Sequence, residues 1–497
     1  MSPLLDVEQD YYAVLGVSPE ADRDEIRKAH RRLAREYHPD TGRGDTTAFR
    51  LMQQAYEVLS NPALRKAYDR QRHSRGLMSG APIRLDLLLS RTEMPALDAR
   101  QRLYLMLDVR GNGSSTSDGK PLNLALVIDC STSMQGRRMR NVRLATRELI
   151  DSLSGRDRLA IIKFNDRAEV VVDSSLVRDG VKFQSGVAHL HAAGGTEILK
   201  GLLAGLRAVR HHARPDALNH VILLTDGHTY GDEELALAEA RQAAAEGIGI
   251  SAVGIGSDWN DLFLDRLARG GQGICDYVRT PDHLQTILHQ QVRGLSTVSL
   301  QDLRLHVNHA AYVEVDSAAR VAPYMEELEI RSGELISLPS VGDETSTLLL
   351  ELLVHQPDIG EYRLARLSLE ARPVSSRSKV RVRQDVVVGF VTERPKPVDA
   401  EVPMRMISVL SRLAVFRLQE RAWTALEKGE ADKATHLLES AATRLFDLGH
   451  RELARAAMLE ARRVSVGGEP SPQGRKDVRY GTRSLALDPG GRAGAAR

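Results

Sequence analysis

The chain has 497 residues, 42% hydrophobic and 27% charged, with a formal net charge of only +2. That length exceeds a single hydrophobic core and suits about three or four domains, and near-neutrality excludes a global basic field for holding nucleic acid. Aromatics at 4% leave little for base-stacking platforms, and two cysteines, Cys130 and Cys275, make neither a disulfide framework nor a CxxC zinc pair. The first eight residues lack the basic flank and apolar core of a signal peptide, and no apolar run approaches the ~20 residues of a membrane span. The expectation is a cytoplasmic protein that engages neither nucleic acid nor membrane.

Residues 10–72 read as short helices. Ile26, Ala29, Leu33 and Tyr37 form a stripe near helical spacing, behind the start signal Ser18-Pro19-Glu20. A second stripe, Phe49, Met52, Tyr56 and Leu59, faces it, so the two helices lie antiparallel across a loop from His38 to Asp45. Residues 73–81 read as a linker. Strand patterns at Ile83–Leu89 and Leu103–Val109 place β-structure over 82–118.

Residues 119–294 alternate strand and helix. Six runs, Asn123–Asp129, Leu159–Phe164, Ala168–Val172, His220–Thr225, Ile248–Gly254 and Cys275–Val278, are mostly continuously apolar, as in strands buried on both faces. Helical patterns at 137–153, 196–211, 232–246 and 260–268 separate them. The expectation is a doubly wound α/β domain. Residues 295–398 return to strand alternation and, with 82–118, predict one β-sandwich into which the α/β domain is inserted. Residues 401–465 predict a helical hairpin region broken at Lys428-Gly429 and Leu448-Gly449, burying among others Leu413, Trp423, Leu438, Leu445 and Met458. The Gly/Pro/Arg-rich segment 466–497 reads as a mostly disordered tail, with Arg475, Lys476, Arg479 and Arg483 solvated.

His38-Pro39-Asp40 follows a basic helix on which Arg27, Arg31 and Arg35 share one face at i, i+4, i+8, widened by Lys28 and Arg32. Asp10-Tyr11-Tyr12-Ala13-Val14-Leu15-Gly16-Val17 precedes it, and Ala55-Tyr56-Glu57-Val58-Leu59-Ser60, then Tyr68-Asp69, come after it. With these landmarks, 10–72 resembles the J domain of the DnaJ family. The resemblance implies a DnaK-type chaperone ATPase as partner, touched by Arg27, Lys28, Arg31, Arg35, His38, Pro39 and Asp40. A positive face on a neutral protein suits an acidic partner. The J-like region is succeeded by no glycine/phenylalanine-rich segment and no zinc-binding cysteine repeat, so the chain resembles the J proteins whose client choice is delegated to another domain.

The second constellation is Asp129-Cys130-Ser131-Thr132-Ser133 at the C-terminal end of the first buried strand, where such sheets place ligand sites. Thr196 in Gly194-Gly195-Thr196-Glu197 and Asp226 in Thr225-Asp226-Gly227 come from later loops. All five are hard oxygen donors that suit Mg²⁺, with Mn²⁺ as a substitute. Asp129, Ser131, Ser133, Thr196 and Asp226 resemble the metal-ion-dependent adhesion site of von Willebrand factor A (vWA) domains, over roughly 119–294. That implies capture of a protein client or complex through an acidic ligand residue. The whole reads as a multidomain co-chaperone: an all-α J domain, then an α/β doubly wound vWA domain flanked by a β-sandwich, then a C-terminal α-helical hairpin region. It is not itself an enzyme.

Two other classes are open. One is a vWA interaction scaffold in which the J domain only docks. The other is a metal hydrolase, for which Glu197 and Asp232 are the conceivable bases. His189, His191, His211 and His212 lack further ligand partners and read as surface histidines.

Overall fold

The computed structural model describes residues 11–15, 17, 21, 23–36, 46–62, 64, 65, 68, 83–111, 120–178, 180–228, 231–330, 335–342, 344–356, 358–374, 378–392 and 402–486. The linker 73–81 and the tripeptide His38, Pro39 and Asp40 lie outside them.

The N-terminal module holds α1 (Tyr11–Leu15), α2 (Arg23–Glu36) and α3 (Thr46–Ser60). Ile26 and Ala29 on α2, Met52, Ala55 and Leu59 on α3, and Tyr11, Tyr12 and Leu15 on α1 are buried together. The Tyr11 and Tyr68 rings stack at 4.7 Å, and the Tyr11 amide donates to the Tyr68 hydroxyl at 2.9 Å, tying the end of the module to its start.

Strands β1 (Ile83–Leu89), β2 (Glu93–Pro95) and β3 (Gln101–Gly111) precede the α/β domain. After it come β10 (Leu300–His309), β11 (Val313–Ala322), β12 (Glu326–Glu327), β13 (Leu335–Leu338), β14 (Ser346–Val354), β15 (Gly360–Pro373) and β16 (Val380–Val391). They form two five-stranded sheets, ordered β1-β3-β14-β11-β12 and β13-β10-β15-β16-β2. Each sheet mixes strands from before and after the inserted domain, so neither segment completes a sandwich alone. Leu105, Leu107, Leu305, Leu350, Leu367 and Val388 meet in the core between the sheets.

The insert carries β4 (Leu122–Asp129), β5 (Arg158–Phe164), β6 (Ala168–Leu176), β7 (Leu218–Thr225), β8 (Ile248–Ile255) and β9 (Gln272–Val278) in the order β6-β5-β4-β7-β8-β9, parallel except for β6. Helices α4 (Arg137–Ser152), α5 (Gly180–Ala188) and α9 (Leu284–Ser296) cover one face, and α6 (Ile198–His211), α7 (Glu233–Ala245) and α8 (Asp261–Gly270) the other. Every residue of β4 is buried, which explains the apolar run from Leu124 to Ile128.

His220 on β7 is a buried imidazole, with Nε2 2.9 Å from the Ser251 hydroxyl. Burial lowers its pKa to about 4. Between the ordinary value near 6.5 and that lowered one, the unfolded chain binds a proton that the folded chain does not. Stability of this domain is therefore full above that window and falls with acidification through it, by about 3 kcal/mol at most. His220→Gln is expected to flatten the fall in the domain's thermal midpoint between pH 6.5 and about 4; an unchanged slope would remove His220 as its source.

Helices α10 (Met404–Glu427), α11 (Ala431–Asp447), α12 (Arg451–Ser465) and α13 (Pro472–Arg483) complete the structure. Val409, Leu413 and Phe416 of α10 pack on Met106, Ala319 and Leu349, the outer face of the first sheet. This is why Leu348-Leu349-Leu350 is apolar on both faces. Two expectations are corrected here. Met458 is 40% exposed, on the solvent side of α12. The mostly disordered tail of 466–497 gives way, over the described part to 486, to α13, capped by the Ser471 hydroxyl on the Gly474 amide with Pro472 in its first turn. Arg479 and Arg483 are not solvated: Asp261 and Asp265 of α8 bury them as ion pairs.

Candidate functional site

The sheet order reverses between β4 and β7, whose C-terminal ends leave a crevice suited to a ligand. The loop after β4 brings Asp129, Ser131 and Ser133 there, and the loop after β7 brings Asp226. Asp129 is fully buried; its Oδ1 accepts from the Ser131 amide at 2.8 Å and its Oδ2 from the Thr225 hydroxyl at 2.6 Å. The Ser131 and Ser133 hydroxyls lie 2.9 Å apart, and Ser133 donates to Asp226 Oδ1 at 2.7 Å. Burial raises the Asp129 pKa, against the hydrogen bonds from Thr225 and Ser131.

Thr196 comes from the third loop. A Cβ placed on Gly227, next to Asp226, would lie 3.1 Å from Thr196 Oγ1, so the two loops are in close approach. Thr132 ties the first loop to this one, its amide and hydroxyl donating to the Gly194 carbonyl at 3.0 and 2.9 Å. Gly194 needs its positive φ of 83°, and a side chain there would strike Asp166. Asp129, Ser131, Ser133, Thr196 and Asp226 therefore converge on one end of the sheet.

The donor set fits a hard divalent cation: two carboxylates and three hydroxyls, with Ser133 and Thr196 reaching the surface. Among the described residues no group of three or more His, Cys, Asp or Glu side chains gathers to hold a metal. Cys130 points away into the core, where burial pushes its thiol up to about 12.

Sequence reasoning missed three neighbours. Thr225 orients Asp129. Arg138 of α4 forms an ion pair with Asp226, and its other nitrogen lies 3.8 Å from Asp258 Oδ2. The sequence signal was available: α4 opens with Arg137, Arg138 and Arg140 and no acid in its first turn, against the helix dipole, so those charges need partners elsewhere. Of the conceivable bases, Glu197 sits at the start of α6, 3.8 Å from Lys200, and Asp232 at the start of α7. His189 and His191 engage the Ser185 carbonyl and Arg143, and the His211 and His212 rings pack edge to face.

In the N-terminal module Arg27, Lys28 and Arg31 are exposed on α2. The side chain of Arg35, on the same helix, falls outside the described residues.

The chain matches the DnaJ domain over residues 10–69, the von Willebrand factor type A domain over 123–290, and the Sll0103-like, C-terminal alpha-helical domain over 405–488. It is 27% identical over 418 residues to the uncharacterized protein sll0103 of Synechocystis sp., covering 82% of this chain and 98% of that one. It is 49% identical over 79 residues to the chaperone protein DnaJ of Nitrosomonas europaea, covering 15% of this chain and 21% of that one, so it spans about a fifth of that relative. Among solved structures, a von Willebrand factor type A protein from Catenulispora acidiphila shares the fold at a TM-score of 0.66 and 18% identity, over 81% of this chain and 97% of that one. The ArnB paralog VWA2 from Sulfolobus acidocaldarius does so at 0.52 and 15%, over 82% and 100%.

Proposed function

This chain carries a DnaJ domain, a von Willebrand factor type A domain and a C-terminal α-helical domain, and we propose that it works as a J-domain co-chaperone. In this reading the J domain stimulates the ATPase of a DnaK-type chaperone while the vWA domain holds a protein client. The observation that carries it is the exposed basic face of α2, Arg27, Lys28 and Arg31, on a helical module that matches DnaJ. A concentrated positive face steers an acidic partner into register. His38, Pro39 and Asp40 come directly after that helix, and proline restricts the backbone that presents the other two. The absence of a membrane-crossing helix among the described residues is compatible with a cytoplasmic setting.

The vWA domain would hold Mg²⁺ or Mn²⁺ through Asp129, Ser131, Ser133, Thr196 and Asp226. The ion supplies a coordination position that an acidic side chain of the client completes. Thr225 and the Ser131 amide orient Asp129 for this, and the Ser133 hydroxyl links the two carboxylate loops.

The testing experiment is single-turnover ATP hydrolysis by a DnaK-type chaperone with and without this protein. Acceleration supports the co-chaperone reading; none would leave a vWA scaffold whose J domain only docks. Asp129→Ala is expected to abolish Mn²⁺ binding measured by calorimetry while leaving that acceleration unchanged. Undiminished Mn²⁺ binding in this variant would remove the metal from the account.

A further inference from the structure

Both oxygens of Asp226 already have partners. Oδ1 accepts from Ser133 at 2.7 Å, and Oδ2 is paired with the Arg138 guanidinium. The Asp226 carboxylate is wholly buried and the Arg138 side chain is 27% exposed. The same Arg138 nitrogen donates to the Ser133 carbonyl at 3.1 Å, so one guanidinium spans both carboxylate loops of the site. The pair is kept because the wholly buried Asp226 carboxylate would be costly if left alone.

The guanidinium has a second acid within reach. Its Nη2 lies 3.8 Å from Oδ2 of Asp258, a mostly exposed side chain on the loop after β8. That loop is held in place from two sides. Lys476 of α13 donates to the Ser257 carbonyl at 2.6 Å, and the Trp259 indole donates to the Gly256 carbonyl at 2.8 Å. Gly256 has a φ of 75°, and a Cβ there would approach Arg138 Nη2 to 3.1 Å. The glycine thus makes the turn and leaves room for the guanidinium.

We propose that Arg138 is a built-in counter-ion that closes Asp226 to a divalent cation, and that Asp258 receives the guanidinium when the cation enters. This rests on the metal reading above. A guanidinium and a divalent ion at one carboxylate repel each other, more strongly in a buried site than in water. Cation binding therefore requires Arg138 to move, and Asp258 is the acid placed to take it. The site's affinity is set by this exchange as well as by the five oxygen donors. Arg138 is a positioning residue: it acts on the ion through Asp226.

The experiment is Mn²⁺ affinity by calorimetry on the full chain, with the thermal midpoint of each variant in chelator as the folding control. Arg138→Gln is expected to tighten Mn²⁺ roughly tenfold. Asp258→Asn is expected to weaken it in the wild-type background and to have no effect in the Arg138→Gln background. Arg138→Lys keeps the positive charge and is expected to bind as wild type; if Arg138→Gln does not fold, Asp258→Asn alone decides, since unchanged affinity there would overturn the exchange. Unchanged affinity in Arg138→Gln, equal tightening by Lys and Gln, or a full Asp258→Asn effect without Arg138 would each overturn the counter-ion role. Asp129→Ala added to Arg138→Gln separates the two claims. Tight Mn²⁺ binding that survives it places the ion elsewhere and defeats the metal reading. Binding lost with Asp129, yet insensitive to Arg138, defeats only the counter-ion.

Discussion

Asp265→Ala is expected to destabilise the protein by about 3–5 kcal/mol, a large fraction of the stability of an ordinary domain. Asp265 is 3% exposed on α8, and two arginines of α13 close on it: Arg483 at 2.6 Å and Arg479 at 3.2 Å. Arg479 also pairs with Asp261 at 2.8 Å and lies 3.6 Å from Glu420 on α10. The network therefore joins the α/β domain to the helical domain. It reaches the sandwich as well, since the Arg483 guanidinium lies 5.7 Å from the Tyr324 ring and the Met325 amide donates to the Arg483 carbonyl at 3.0 Å. Burial alone would raise the Asp265 pKa, but Arg483, Arg479 and Arg269 outweigh it and hold the carboxyl below its ordinary value. Its stabilisation is thus present above the ordinary carboxylate range and lost as pH falls through the lowered value. Removing the acid strands the buried Arg483 and leaves Arg479 with only Asp261 and Glu420, whereas removing Asp265 and Arg483 together strands neither. The double variant Asp265→Leu, Arg483→Met is therefore expected to recover most of the loss. Urea unfolding checks both; a double variant as weak as the single one would show that packing of α13, not its charge, makes the junction.

The same junction shows where the sequence was legible and where it was not. Arg475, Arg479 and Arg483 fall at i, i+4, i+8, and Asp261, Asp265 and Arg269 fall at the same spacing on α8. Either stripe alone looks like a solvated face. Only their meeting across about 215 residues makes them a core, and a sequence does not display that meeting. The cap at Ser471-Pro472 was readable by the rule that placed a helix at Ser18-Pro19, but Gly/Pro/Arg-rich composition outweighed it. The doubly wound insert was plain because burial on both faces forces continuous apolar strands such as β4. Of the oxygen donors, Asp129, Ser131, Ser133 and Asp226 were legible because they end or directly follow strands at the switch point, while Thr196 comes from the loop between α5 and α6. Arg138 was legible only as one of several charges in need of a partner; that the partner is Asp226 depends on the fold bringing α4 against it.

Two variants of the J domain are expected to fail differently in the single-turnover assay. Arg31→Glu reverses one charge on the exposed face of α2. Steering changes how often the partners meet and how salt affects that meeting, more than it changes the hydrolysis step in the bound pair. Its stimulation is therefore expected to need more protein, to reach near the wild-type maximum at saturation, and to lose much of its salt dependence. His38→Gln keeps the charge of the basic helix and changes the group next to Pro39 that the DnaJ resemblance assigns to triggering hydrolysis. It is expected to abolish stimulation at every concentration while still competing with wild type for the chaperone. If Arg31→Glu instead lowers the maximum, the basic face takes part in the trigger. If His38→Gln neither stimulates nor competes, the tripeptide is needed for docking itself, and the division between steering by α2 and triggering by the tripeptide is wrong.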